Sequence, residues 1–192
     1  MADTTIQARR TYYAGVYFRS RTEARWAVFF DTLGLRWEYE PETYMLDDLD
    51  YAPDFFLPDV GCFVEIKGVK PNQTEKDKAR KLVDAFGMPV YIFTGDFTVP
   101  ITDRTPGAWA FMQCEDPFNP DWHGVNEDDY YFWCECPNCG MYGIHYQGRS
   151  DRLPCSCEKS IDGDRGINTD SPSLVMAYEA ARGFIFEYKL SA

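Results

Sequence analysis

Two short stretches decide the fold: Ala52-Pro53-Asp54-Phe55-Phe56-Leu57 and, after the turn Pro58-Asp59-Val60-Gly61, Cys62-Phe63-Val64-Glu65-Ile66-Lys67. Both are rich in aromatic and branched residues and are bounded by Pro and Gly, the pattern of two strands joined by a tight turn. The first strand is predicted over residues 51–57 and the second over residues 62–67. An antiparallel register centred on the turn brings Asp54 next to Glu65. Side chains alternate along a strand, so Cys62, Val64 and Ile66 face one way and Phe63, Glu65 and Lys67 the other. One face then holds two carboxylates and an ammonium.

That combination carries a chemical expectation. A solvated strand face with a surface ion pair is the plain reading of Glu65 and Lys67. Yet Asp54 precedes Phe55-Phe56-Leu57 and Glu65 lies between Val64 and Ile66, and charges set among apolar residues are costly unless something pairs them. Two convergent carboxylates bind a hard divalent cation such as Mg2+ or Mn2+ through oxygen, and the Ile66 carbonyl would add a ligand. Such a cation polarises a phosphodiester and acidifies a water. Lys67 would orient or deprotonate that water, or neutralise charge developing on phosphorus.

Outward from this centre the periodicity changes. Residues 20–33 carry Trp26, Phe29, Phe30 and Leu33 at helical spacing, with Gly34 as a stop. Residues 36–40 alternate as a strand, and residues 47–50 read as a turn. Thr74 is expected to cap a helix running to about Phe86, and residues 90–94 form a short apolar strand of the buried kind. Strand, helix and strand in about thirty residues imply a right-handed crossover and a parallel pair. The order helix, three strands, helix, strand describes an α/β sandwich.

Pro53-Asp54 followed by Glu65-x-Lys67 resembles the signature of PD-(D/E)XK nucleases, and the element order matches the core of that superfamily. Residues 13–94 look like predicted nucleases of this group encoded by bacteriophages. The resemblance implies a restriction endonuclease-like core that hydrolyses DNA, as an endonuclease or exonuclease, with RNA as a further candidate. It implies Asp54 and Glu65 as metal ligands, Lys67 as the catalytic lysine, and the host cytoplasm as the setting. Many members also place a carboxylate on the first helix, where this chain has Glu23. Ser20-x-x-Glu23 is at the same time a capping-box pattern, which would make Glu23 structural.

A second constellation follows. Of seven cysteines, five fall within residues 134–157, and no export signal precedes them, so metal ligation is favoured over disulfides. Cys136-Pro137-Asn138-Cys139-Gly140 is a zinc-knuckle sequence whose turn lets backbone N–H groups bond the thiolates. Cys155-Ser156-Cys157 supplies a second pair, and four thiolates suit a closed tetrahedral Zn2+ site. Cys134 is the substitute if one of the four is not a ligand, and a redox Cys-x-x-Cys is the rival reading. The surrounding hairpin resembles a zinc ribbon. Cys62 and Cys114 read as buried small hydrophobes, and His123 and His145 as ordinary strand or surface residues.

Composition sets limits. The 192 residues are 45% hydrophobic and 17% aromatic, enough for a sizeable core. No apolar run is long enough to span a bilayer, so no membrane role is expected. The net charge of -12 opposes encounter with phosphates. Against it, Arg9, Arg10, Arg19, Arg21 and Arg25 gather near Glu23, and Lys67, Lys70, Lys76, Lys78, Arg80 and Lys81 follow the Glu-x-Lys strand. The acidic excess is heaviest over residues 115–129. A non-catalytic module that binds nucleic acid or protein on a nuclease-like scaffold is the competing expectation, with the zinc hairpin as the surface for a protein partner. The expected organisation is a core over residues 1–96, an irregular connection over 97–129, the zinc hairpin over 130–160, and a linker with a last helix over 161–192. In that helix Leu174, Tyr178, Ala181 and Ile185 share a stripe.

Overall fold

The computed structural model describes residues 10–46, 49–95, 97, 107–115, 123–157 and 166–187. Arg9, Asp47, Asp48, residues 116–122 of the acidic stretch, and the side chains of Cys114 and His123 lie outside what is described.

The first described element is a hairpin of β1 (Thr11–Tyr13) and β2 (Val16–Phe18). Its turn residues Ala14 and Gly15 both have positive φ, 47° and 87°, as a two-residue hairpin turn requires. Helix α1 (Arg21–Thr32) follows, capped by Ser20, whose Oγ accepts the Glu23 N–H at 3.1 Å. Its apolar stripe of Trp26, Ala27, Phe29 and Phe30 is buried.

Next come β3 (Glu38–Tyr39), β4 (Tyr44–Leu46), β5 (Leu49–Tyr51), β6 (Phe55–Leu57) and β7 (Cys62–Lys67). The single strand expected over residues 51–57 is divided in two. Tyr51 ends β5 and pairs with Tyr44, whereas Phe55 opens β6 and pairs with Val64. Pro53 lies between them; without an N–H it cannot continue a ladder. Leu49 and Asp50, read as turn residues, belong to β5.

Helix α2 (Gln73–Phe86) is capped by Asn72 rather than Thr74. Asn72 accepts the Glu75 N–H and Glu75 reaches back to the Asn72 N–H, at 3.0 and 2.9 Å, so both first-turn donors are satisfied reciprocally. Strand β8 (Val90–Thr94) then lies parallel to β7, with Glu65 beside Ile92, the crossover that the sequence pattern implied.

The stretch read as an irregular connection holds two strands, β9 (Ala108–Glu115) and the start of β10 (His123–Glu135), which pairs on its other side with β11 (Tyr142–Tyr146). Ala108 and Ala110 pack into one buried cluster, while Phe111 packs into a second. A strand buried on both faces shows no apolar–polar alternation, which is why its period was hidden. The cysteine hairpin is therefore continuous with the main sheet. Helix α3 (Pro172–Gly183), capped by Ser171, ends before Ile185, which is 88% exposed and leaves the stripe that Leu174, Tyr178 and Ala181 form.

Among the described residues the main sheet has seven strands in the order β11-β10-β9-β8-β7-β6-β3, with β7 and β8 parallel and the other neighbours antiparallel. Helices α1 and α3 bury one face against Phe55, Val64, Ile66 and Trp133; α2 buries the other against Phe63, Ile92 and Phe111. The described residues are thus mixed α/β, a large mixed sheet with three α-helices in three layers. No described helix is long and apolar enough to cross a membrane.

Candidate functional site

The β6–β7 register pairs Phe55 with Val64 and Phe56 with Phe63. Continued by one residue, it sets Asp54 opposite Glu65. Asp54 Oδ2 accepts the Ile66 N–H at 2.7 Å, which fixes the carboxylate one residue before β6 begins. In a strand the N–H and C=O of one residue point to the same edge. The Ile66 carbonyl therefore also faces the side of Asp54. Asp54 and Glu65 are buried, with 7% and 2% of their surface exposed.

Glu65 is held at both oxygens. Tyr51 donates its hydroxyl to Oε1 in a short hydrogen bond, and the Lys67 ammonium lies 2.8 Å from Oε2. Lys67 also approaches Glu75, at the start of α2, at 3.8 Å. Asp54 Oδ1 accepts no hydrogen bond among the described residues.

The electrostatics follow from this crowding. Burial, then the Glu65 charge, push the Asp54 carboxyl well above its ordinary range; the Ile66 N–H opposes the rise, Glu23 adds to it, and Lys67 offsets part of it. Burial and the Glu65 carboxylate likewise raise Tyr51, so it stays a donor. For Lys67, burial pulls downward, but the Glu65, Asp54 and Glu75 carboxylates outweigh it and the ammonium is held above its usual value. Two buried carboxylates against one ammonium leave a local excess of negative charge.

These groups line a cleft of about 340 Å³ at the carboxyl end of β7, where α/β sheets commonly place ligands. Asp54, Glu65 and Lys67 lie in it with Arg19, Asp50, Tyr51 and Lys78. Glu23 does not line it. Its Oε2 accepts from the Arg19 N–H at 3.1 Å and the Tyr39 hydroxyl at 2.6 Å, and its Oε1 from Ser20 Oγ at 2.6 Å. Glu23 is close enough to bear on Asp54, but its oxygens serve the helix cap.

Tyr51 is the residue that sequence reasoning passed over. Nothing in its surroundings marks it, because its place over Glu65 depends on the β4–β5 hairpin. Glu75 was passed over likewise; its capping-box spacing from Asn72 was a readable signal, its approach to Lys67 was not.

The cysteine cluster is the second centre. The ligand atoms of Cys136, Cys139, Cys155 and Cys157 all lie within 4.8 Å of one another, close enough to hold one tetrahedral metal ion such as zinc. The Gly140 N–H bonds the Cys136 carbonyl at 2.9 Å, and Gly140 takes a φ of 73° to close the knuckle. Against a burial effect that raises it, the Cys139 and Asn138 N–H groups bring the Cys136 thiol down to about 7, so a thiolate forms near neutrality. Cys134 is outside the cluster. Its buried thiol points at the Gly143 carbonyl, and burial pushes it up to about 12.

Compared with known proteins, the chain matches no family model, no curated protein and no solved structure.

Proposed function

We propose that the chain is a PD-(D/E)XK-type nuclease with a restriction endonuclease-like core, hydrolysing DNA phosphodiesters with Mg2+ or Mn2+. One observation carries this reading: Asp54, just ahead of β6, and Glu65, on the adjacent β7, meet Lys67 at the floor of one cleft. A buried pair of carboxylates with an unengaged oxygen at Asp54 and a backbone carbonyl aimed the same way suits a hard divalent cation. Asp54, Glu65 and the Ile66 carbonyl would hold the ion, which supplies charge to polarise a phosphodiester oxygen and a water.

The chain's own groups do the rest. The Ile66 N–H aims Asp54, and Tyr51 and Lys67 fix the rotation of Glu65. The Lys67 ammonium neutralises charge building on phosphorus in the transition state, and Glu75 keeps it within reach of the cleft. Glu23 braces the start of α1 behind Asp54. In the second centre the four thiolates would hold Zn2+ as a structural ion, since four protein ligands would leave no position for substrate.

Incubation of plasmid, single-stranded and branched DNA with Mn2+, using wild type and Lys67→Ala, tests the reading. Equal cleavage by both proteins removes Lys67 from the chemistry. The rival is a binding module on the same scaffold, favoured by the net charge of -12. It requires that titration with Mn2+ give no heat that depends on Asp54 and Glu65.

A further inference from the structure

The cleft differs in charge from the molecule around it. Lys and Arg are 19 of 192 residues in the chain but three of the nine lining the cleft, Arg19, Lys67 and Lys78, facing the carboxylates of Asp50, Asp54 and Glu65. Lys67 is committed to Glu65 at 2.8 Å. Among the described residues the other two cations form no ion pair with the carboxylates of the floor. Arg19 immediately precedes the cap of α1 and Lys78 lies on α2, helices that pack on opposite faces of the sheet.

We infer that Arg19 and Lys78 are phosphate contacts on the two sides of the cleft, holding the phosphodiester backbone of a nucleic-acid strand across the Asp54–Glu65 floor. The inference rests on the nuclease reading for what lies between them. Arg19 is anchored by its backbone, its N–H being bonded to Glu23 and Tyr39, while its side chain is 64% exposed. Its guanidinium pairs with the half-buried Glu40 at 2.5 Å, a single carboxylate contact that leaves the exposed donors of the fork for a phosphate. The Lys78 ammonium forms no ion pair among the described residues and lies 5.7 Å from the centre of the Tyr51 ring, which shares the cleft. Tyr51 in turn bonds Glu65. The same tyrosine thus touches the floor and the cation on its rim, setting one position relative to the other.

Two cations from separate elements, with the carboxylate floor in the same cleft, suit a polyanionic strand with phosphates on either side of the attacked one rather than a single small phosphate. An acidic chain gains no general attraction for such a strand, so its affinity must be concentrated in these contacts. Each phosphate contact released should lower the dependence of log K on log salt by about 0.7 for single strands and about 0.9 for duplexes.

The experiment measures binding of labelled single-stranded DNA, duplex DNA and RNA of one sequence, with Ca2+ as the divalent ion, across a salt series. Arg19→Gln and Lys78→Met are compared with wild type, the latter keeping its stem on the Tyr51 ring. Arg182→Gln on α3, outside the cleft, makes the same change in net charge, and melting curves confirm that all variants are folded. The expected result is a roughly tenfold loss of affinity at low salt for each cleft variant, with the slope reduced by about one contact, and no change in slope for Arg182→Gln. The arm that shows the loss identifies the sugar. Unchanged slopes in both cleft variants, an equal fall in Arg182→Gln, or no binding of any strand by wild type overturns the inference. Parallel incubation with Mn2+ separates the two ideas: cleavage with unchanged slopes defeats only the phosphate contacts, and reduced slopes without cleavage defeat only the nuclease.

Discussion

Asp54 Oδ2 accepts the backbone N–H of Ile66 at 2.7 Å, joining the residue just ahead of β6 to the neighbour of Glu65 on β7. The bond locks a buried carboxyl beside Glu65, where burial and the neighbouring charge disfavour its ionised form, so ionising it costs the metal-free protein stability. Asp54→Asn keeps an oxygen for the Ile66 N–H and removes the charge. It is expected to raise the melting temperature of the metal-free protein by about 2–4 °C, equivalent to ~1 kcal/mol in a chain of this size, and to abolish the heat of Mn2+ binding. Calorimetry of both kinds checks it.

The pH dependence follows in sign. The Asp54 carboxyl is raised by burial and by Glu65. A group raised on folding contributes stability that is complete below its unfolded value, ~3.9, and is lost as pH rises through the folded value. The melting temperature of metal-free wild type should therefore fall, relative to Asp54→Asn, as pH climbs above the ordinary carboxylate range. Mn2+ binding should release a proton over the same window and tighten with pH. Titration in two buffers of different ionisation enthalpy reads the proton directly; identical heats would count against a protonated Asp54.

Lys67 and Glu23 should separate cleanly. Lys67→Ala is expected to lower cleavage about 100-fold or more while Mn2+ still binds. Glu23→Gln, which loses acceptor strength at the α1 cap, should cost about 1 kcal/mol in stability and change the turnover rate little. A collapse of turnover in folded Glu23→Gln, with stability intact, would place Glu23 in the chemistry after all.

The cysteine centre divides its members. Cys136→Ser should lose one equivalent of bound metal and lower stability by several kcal/mol. Cys134→Ala, which removes a buried thiol packed with Leu153 and aimed at the Gly143 carbonyl, should keep the full equivalent. Metal content by mass spectrometry with melting curves distinguishes them. Because Ser173 on α3 bonds Glu135, the residue before Cys136, metal loss is expected to loosen α3 as well, seen as faster amide exchange there.

The centre of the molecule was legible from its sequence because its physics is local. A tight turn and period-two alternation were enough to align Asp54 with Glu65, and Thr11 to Phe18 aside, the first helix, the crossover and the parallel strand followed from apolar spacing. What lay beyond reach depended on partners distant in sequence. Trp109 and Phe111 form a strand that only β8 and β10 define, so the sheet's extension into the cysteine hairpin was invisible. Tyr51 gains its role from a hairpin that Pro53 separates from β6. The choice between cap and catalysis at Glu23 needed the Tyr39 hydroxyl, sixteen residues away.

A crystal of the protein soaked in Mn2+, with anomalous scattering recorded at the manganese edge, is the most direct measurement. The expected result is a peak coordinated by Asp54 and Glu65 with the Ile66 carbonyl beside it, absent in Asp54→Asn. A cleft with no peak in wild type, or a peak only among the four cysteines, would contradict the proposal.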